Sequence, residues 1–276
     1  MAVLASLRGK NVLLTGASRG IGLALARALA REGARLALAA RGASDLEKLA
    51  AELRAGGAEA VPAPLDLTDD ASVARGVAAA RAALGELDVL IHDAGVAHQA
   101  PFVELAPEQI RAEIETNYLG AVRAARAVLP AMLARGSGTI LNVSSVLGCV
   151  AAPSCATYSA SKAALDAFTF ALRGEVAARG VRVILFVAPH TATEAGRRVR
   201  FDGVPIADPE RVARHALRAL RRGPRRSFSG GGNRVLVALA RLSPRLGDRL
   251  MHGTTRAVLD GRCRSTAGFQ QRAGQP

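Results

Sequence analysis

The chain contains no tryptophan, two tyrosines and seven phenylalanines among 276 residues. A core this poor in aromatics must be filled by Ala, Val, Leu and Ile. Half of the chain is hydrophobic, enough for one large domain or two small ones. Cysteine is scarce too. Cys149, Cys155 and Cys263 make no CxxC pair and no disulfide framework, which points to a reducing cytoplasm. Cys155 reads as a small buried hydrophobe rather than a reactive thiol. The five histidines (His92, His98, His190, His215 and His252) show neither HExxH nor another paired-ligand spacing, so no metal is expected. No stretch reaches the roughly 18 uncharged apolar residues that a membrane-spanning helix needs. The opening MAVLASLRGKNVLL lacks the apolar run and cleavage site of a signal peptide. A soluble, cytoplasmic protein is the expectation.

Acidic residues are outnumbered, and the formal charge is +14. The excess is spread as single arginines, with no helix-turn-helix, zinc-finger spacing or aromatic-studded basic strand, so no nucleic acid partner is expected. Lysine is rare even so: Lys10, Lys48 and Lys162 are the only three among 37 basic residues.

Short aliphatic runs alternate with longer stretches of helical period. NVLLT (11–15), RLALAA (35–40), AEAVPAPL (58–65), LDVLIHDAG (87–95), TILNVSS (139–145) and VRVILFVAP (181–189) read as strands. Helices are expected over 20–33, over 44–57 with a Ser or Asp cap, over 69–85, over 107–136 with Pro130 near its end, and over 155–180. Such alternation predicts an α/β fold: a Rossmann-type doubly wound parallel sheet with helices on both faces. Near-continuous apolar strands such as VILFVA fit burial on both sides. Residues 1–230 read as one dinucleotide-binding and catalytic domain, 231–252 as a helical extension and 253–276 as a polar tail.

TGASRGIG (15–22) falls between the first strand and the first helix. Glycines there let backbone approach a pyrophosphate, and the helix N-terminus offers free N–H groups. GASRG also satisfies the GxSxG of a serine-hydrolase elbow. That reading expects the elbow in mid-chain and leaves Tyr158 and Lys162 without a task, so it ranks well behind. An NAD site wants a carboxylate at the end of the second strand to meet the ribose 2′-hydroxyl. Here Arg41 stands at that point, Arg19 lies in the turn, and the first acid is Asp45. Two guanidinium groups suit a 2′-phosphate, so NADP(H) is favoured with NAD(H) as the alternative.

In CATYSASKAALDAF (155–168), Tyr158 and Lys162 stand at i and i+4 and share one helix face. A free tyrosine has a pKa of about 10, and an adjacent ammonium is expected to lower it toward the working range. Ser145 ends the preceding strand, and its hydroxyl is placed to polarise a carbonyl while Tyr158 donates a proton.

With these residues on the page, the chain resembles the classical short-chain dehydrogenases/reductases. TGASRGIG, Asp66 in LDLT, the DAG of HDAG (93–95), Asn117 in ETNYLG, Ser145 in NVSS and the YSASK block follow the family's order and separations over residues 11–190. The resemblance implies that Ser145, Tyr158 and Lys162 are the catalytic triad and that Asn117 holds a water linking the lysine to solvent. It implies cofactor contacts from Gly16, Ser18, Arg19, Gly20, Ile21, Gly22, Arg41, Asp66, Leu67, Asp93, Ala94, Gly95, Tyr158, Lys162 and Pro189, with Asp66 at the adenine. It also implies a small carbonyl or alcohol substrate and a homodimer or homotetramer. Two positions depart from the pattern: HDAG replaces the usual NNAG, and Pro189-His190 replaces Pro-Gly. His190 therefore either touches the nicotinamide or substrate, or faces solvent.

A helix is expected at 233–251, kinked at Pro244, with Leu239, Leu242, Leu246 and Leu250 in one stripe and Arg241, Arg245 and Arg249 beside it. Closing over an apolar substrate, packing in an oligomer and resting on an anionic membrane are the three roles such a helix can serve. Packing on the protein is favoured over the membrane. The leading function is an NADP(H)-dependent oxidoreductase acting on a hydrophobic ketone or secondary alcohol. The alternative is a non-catalytic nucleotide-binding Rossmann protein.

Overall fold

A computed structural model describes residues 6–260. Seven strands form one parallel sheet: β1 (Asn11–Thr15), β2 (Arg35–Ala39), β3 (Ala60–Pro62), β4 (Val89–His92), β5 (Gly138–Ser145), β6 (Val181–Ala188) and β7 (Arg226–Phe228). Their order across the sheet is β3-β2-β1-β4-β5-β6-β7. The order reverses between β1 and β4, and a crevice opens there beyond the carboxyl ends of the strands. Alternation along each strand feeds two cores. On β1, Val12 and Leu14 join helices α1 (Gly20–Arg31), α2 (Ala43–Ala55) and α8 (Pro209–Arg222) on one face. Leu13 joins α3 (Asp70–Leu84), α5 (Gly120–Ala134) and α6 (Ala156–Val176) on the other.

Several elements differ from the sequence reading for local reasons. The expected helix over 107–136 is α4 (Pro107–Ile114), a π-helical stretch at Glu115–Leu119 and then α5. The π turn contains Asn117, a common setting for functional residues. Helix α2 has Gly42 at its N-cap with no side-chain cap, and Asp45 sits in the first turn, so the expected Ser or Asp cap is wrong. The expected strand at 58–65 pairs only over Ala60–Pro62.

Helix α7 (Glu194–Arg198), helix α8 and strand β7 lie where no element was expected. The signals for α8 are present in DPERVARHALRALRRG. Asp208 caps the N–H groups of Glu210 and Arg211, Pro209 opens the helix, and Gly223 ends it at φ 61°. The expected single helix at 233–251 is two: α9 (Gly231–Leu242) and α10 (Pro244–Leu259). Ser243 is extended between them, and Pro244 starts the second helix rather than kinking the first. Helix α10 also runs past residue 252, where the extension was expected to end. Most of the expected tail (261–276) lies outside the described residues.

Phe186 on β6 is fully buried and belongs to the core under α8. Phe186→Ala should lower unfolding stability by about 3–5 kcal/mol, the usual cost of such a cavity. Val103→Ala, at a position 91% exposed, should change it by less than about 0.5 kcal/mol. Urea denaturation of both variants checks the contrast.

Candidate active site

A cleft of about 590 Å³ follows the carboxyl edge of the sheet. It is bordered by the β1–α1 turn, the ends of β2 and β4, the end of β5, the first turns of α6 and the segment after β6.

The β1–α1 turn is shaped by close backbone approaches. A Cβ on Gly22 would stand 2.1 Å from the Gly16 carbonyl oxygen, and one on Gly16 would stand 2.7 Å from the Ala94 nitrogen. Gly16 also has φ 73°, which side chains disfavour. The N-cap of α1, Arg19, contributes no side-chain cap; the Gly22 N–H bonds to Asp93, and Gly20 and Ile21 stand at the cleft edge. This cradle, with a helix dipole behind it, fits a dinucleotide pyrophosphate.

At the adenosine end, Arg41 is exposed and makes no ion pair among the described residues. Asp45 and Asp66 line the same end. Asp66 accepts from the backbone N–H and the hydroxyl of Thr68 at 2.9 and 2.8 Å. The backbone bond from Thr68 is the main cause holding its carboxyl below the usual range, with Arg41 and Arg123 adding smaller pulls. Arg19 is drawn to Glu194 at the start of α7, 2.9 Å away.

At the other end, Tyr158 is hydrogen-bonded to Ser145. Burial pushes the phenol well above its ordinary pKa, the Ser145 bond pulls it back, and Cys155, Glu113 and Asp93 push it further up. The expected lowering by the ammonium is therefore not what dominates. Lys162 turns its Nζ to the Val143 carbonyl, 3.0 Å away, and is only 4% exposed. Burial brings its pKa down to about 8, against the opposing pulls of Asp93 and Asp166. In this environment the phenol is held neutral, and the lysine is still largely charged at pH 7.

Asn117 does not line the cleft. Its Oδ1 accepts from the Val96 N–H at 2.8 Å, and its Nδ2 donates to the Val96 carbonyl and the Ser161 hydroxyl, each at 2.9 Å. The side chain is thus engaged in holding the 93–96 segment against α6. Gly22 also stands behind the wall. Gly16, Ser18, Arg19, Gly20, Ile21, Arg41, Asp66, Leu67, Asp93, Ala94, Gly95, Ser145, Tyr158, Lys162 and Pro189 all line the cleft.

The two departures from the family pattern resolve differently. Asp93 accepts from the Gly22 backbone N–H, and burial raises its pKa to about 7 while Lys162 and that bond lower it. His92 is fully buried with Nδ1 3.2 Å from the Thr15 hydroxyl, and burial drives its pKa down to about 3. His190 lines the cleft. Its Nε2 lies 2.7 Å from the Gly196 carbonyl oxygen, and its ring meets Phe201 edge-on at 5.2 Å. Thr193 and Glu194, just beyond His190, also line the cleft, and Leu236 and Met251, which sequence reasoning did not single out, wall it from α9 and α10. Among the described residues no cluster of His, Cys, Asp and Glu could hold a metal ion, and no helix is long and apolar enough to cross a membrane.

Fold and cleft together define an NAD(P)-dependent oxidoreductase of the Rossmann type. The family model for short chain dehydrogenases matches residues 10–202, so the chain belongs to that family. It is 32% identical to the ketoacyl reductase HetN of Nostoc sp. over 258 residues, 90% of each chain. It is 36% identical to the gluconate 5-dehydrogenase of Gluconobacter oxydans over 72% of this chain and 78% of that one. Among solved structures, a short-chain dehydrogenase/reductase of Burkholderia phymatum in complex with NAD superimposes with a TM-score of 0.80 at 25% identity, covering 88% of this chain and 96% of that one.

The half-buried Asp93 carboxyl gives a pH test. A folded-state pKa of about 7 lies above the unfolded carboxylate value of 3.8. The stability this group contributes is therefore complete below about pH 4 and lost as the pH rises through about 7. Asp93→Asn removes the titration, so the variant should be more stable than the parent at pH 8, with the gap closing toward pH 5. Urea midpoints at both pH values measure it, and a gap that does not change with pH would contradict a raised, titrating Asp93.

Proposed function

We propose that the protein is an NADP(H)-dependent oxidoreductase that interconverts a ketone and a secondary alcohol on a hydrophobic substrate. The observation that carries this reading is the Tyr158 phenol, bonded to Ser145 and backed by Lys162, at the floor of a cleft whose far wall is apolar. The bound nicotinamide would supply or take the hydride. Tyr158, held neutral by burial, is ready to donate its proton to a carbonyl oxygen that the Ser145 hydroxyl also polarises. The Lys162 ammonium then stabilises the phenolate left behind. Asn117 acts through Val96 and Ser161, fixing the wall beside the lysine; a water-holding role would fall to its backbone. Phe201, Val204, Leu236 and Met251 favour an apolar body on the substrate.

NADP(H) is supported by Arg41, exposed and without an ion pair at the ribose end; Arg19 lines the same cleft, paired with Glu194. NAD(H) is the second reading, favoured by the Asp45 carboxylate at that same end. We further propose a catalytic unit over 1–230, a helical extension beyond it, self-association as a homodimer or homotetramer, and a cytoplasmic setting without nucleic acid.

NADPH oxidation across a panel of aliphatic and cyclic ketones tests the reading. Tyr158→Phe should lower kcat by about 10²- to 10⁴-fold, the usual worth of a positioned acid, with NADPH affinity unchanged. Lys162→Ala should weaken both. No turnover on any carbonyl, with NADPH still bound, would favour the non-catalytic nucleotide-binding alternative. Arg41→Asp should weaken NADPH binding at least tenfold more than NADH binding. Equal losses would make Arg41 a bystander in cofactor choice.

A further inference from the structure

Helices α9 and α10 form a hairpin that crosses where Gly247 meets Ala240; a Cβ on Gly247 would stand 2.8 Å from that of Ala240. Val237, Met251, Thr255 and Val258 face inward, and Val237 and Met251 join the apolar cluster at the cleft end of the molecule. The expected packing on the protein is therefore met on one face only. On the other, Val235, Leu239, Leu242, Leu246 and Leu250 are between 39% and 84% exposed. Leu242 at the hairpin tip is the most open of them.

Many arginines of the sheet-and-helix body are neutralised by carboxylates, whereas those beside these side chains are not. On the body, Arg27 pairs with Glu52, Arg35 with Glu59, Arg54 with Glu47, and Arg123 with Asp70 and Glu115. On the hairpin, Arg234, Arg241, Arg245 and Arg249 are exposed and form no ion pair among the described residues, and Asp248 is the only acid between 231 and 252. A surface combining uncovered leucines with unneutralised arginines is complementary to acyl chains lying under anionic headgroups. It is a poor match for itself. A two-fold contact would set four arginines against four arginines.

Leu250 belongs both to this exposed stripe and to the cleft wall, and Leu236 and Met251 continue the wall inward. The mouth of the cleft thus opens on the same surface. We propose that the leucine–arginine face of α9–α10 seats the protein on an anionic lipid surface. The substrate class is then a membrane-dissolved amphiphile whose carbonyl or hydroxyl enters past Leu250. The docking stands on the hairpin alone, whereas the substrate class rests on the oxidoreductase reading above.

The test is flotation of the full chain with vesicles of phosphatidylcholine alone or with about 30% phosphatidylglycerol, at low and high salt. Binding should require the anionic lipid and fall at least tenfold at high salt. Leu242→Glu together with Leu246→Glu should abolish it. Arg241→Gln with Arg245→Gln should weaken it about tenfold or more and flatten the salt dependence. Neither pair lines the cleft, so thermal unfolding and NADPH turnover on a water-soluble ketone should be those of the parent. Docking is overturned by absence of binding, by equal binding to the neutral vesicles, or by variants that float like the parent. It is also overturned, in favour of a second copy, if the parent sediments as an oligomer that Leu242→Glu dissociates. Flotation without turnover on any carbonyl would leave the docking intact and reject the oxidoreductase reading on which the substrate class depends.

Discussion

A polar seam joins α6 to β5, and the position of every reactive side chain in the cleft follows from it. Three consecutive strand residues reach one helix. The Val143 carbonyl accepts from Lys162, the Ser144 hydroxyl donates to Asp166, and Asn142 donates to the Thr169 hydroxyl. All three helix partners are buried. Apolar packing alone tolerates a helix that slides or rotates slightly. Buried polar groups do not, because each unmade bond leaves a group desolvated at a cost of about 1–3 kcal/mol. The seam therefore fixes both the axial and the rotational setting of α6. Tyr158, one turn before Lys162, is consequently delivered to Ser145 at the end of the same strand.

The same tension explains which parts of the molecule could be read from its residues. Strands β1, β2, β4, β5 and β6 were legible because burial on both faces demands continuous aliphatic runs, and these stand out in a chain so rich in Ala and Arg. The cleft residues were legible because each carries chemistry that a core position does not need. A rare lysine one turn from a rare tyrosine is the clearest case. Strand β7 was not legible: RSF has no period and is held only as an edge against β6. Helix α8 was within reach, since Asp208-Pro209 and Gly223 mark its ends, but its arginines mask the apolar face that Val212, Ala213, Ala216, Leu217 and Leu220 bury. The π turn at 115–119 has no sequence signature; it carries Asn117, whose side chain bonds to Val96 and Ser161.

Electrostatics were the least legible layer. Placing an ammonium near a phenol on a helical wheel predicts a lowered tyrosine pKa, but the wheel carries no information on burial. In the folded chain the desolvation of Tyr158 outweighs the bond from Ser145, and the negative groups Glu113 and Asp93 push the same way as burial. The outcome suits a proton donor better than a resident phenolate. A group that keeps its proton at neutral pH can give it up when negative charge develops on a substrate oxygen.

The replacement of an amide pair by His92-Asp93 follows the same logic. His92 enters a space too dry to hold free charge, Asp93 stands half-buried at the cleft wall, and each is driven toward its neutral form, His92 to a pKa of about 3 and Asp93 to about 7. A neutral His92 keeps one ring nitrogen bonded to Thr15, and a protonated Asp93 is close in shape and hydrogen-bonding capacity to the asparagine it replaces. The cradle formed with Gly22 survives in either protonation state, because a carboxyl oxygen accepts the Gly22 N–H whether or not the group is ionised. The difference from an amide is that Asp93 can ionise. With Lys162 titrating at about 8, the two groups exchange charge over the same narrow pH range, and each influences the other. Losing the proton from Asp93 favours the ammonium but opposes a phenolate at Tyr158, the form that the proposed proton transfer would leave. The site thus differs from one with an amide pair by one additional titrating carboxyl beside the proposed proton donor.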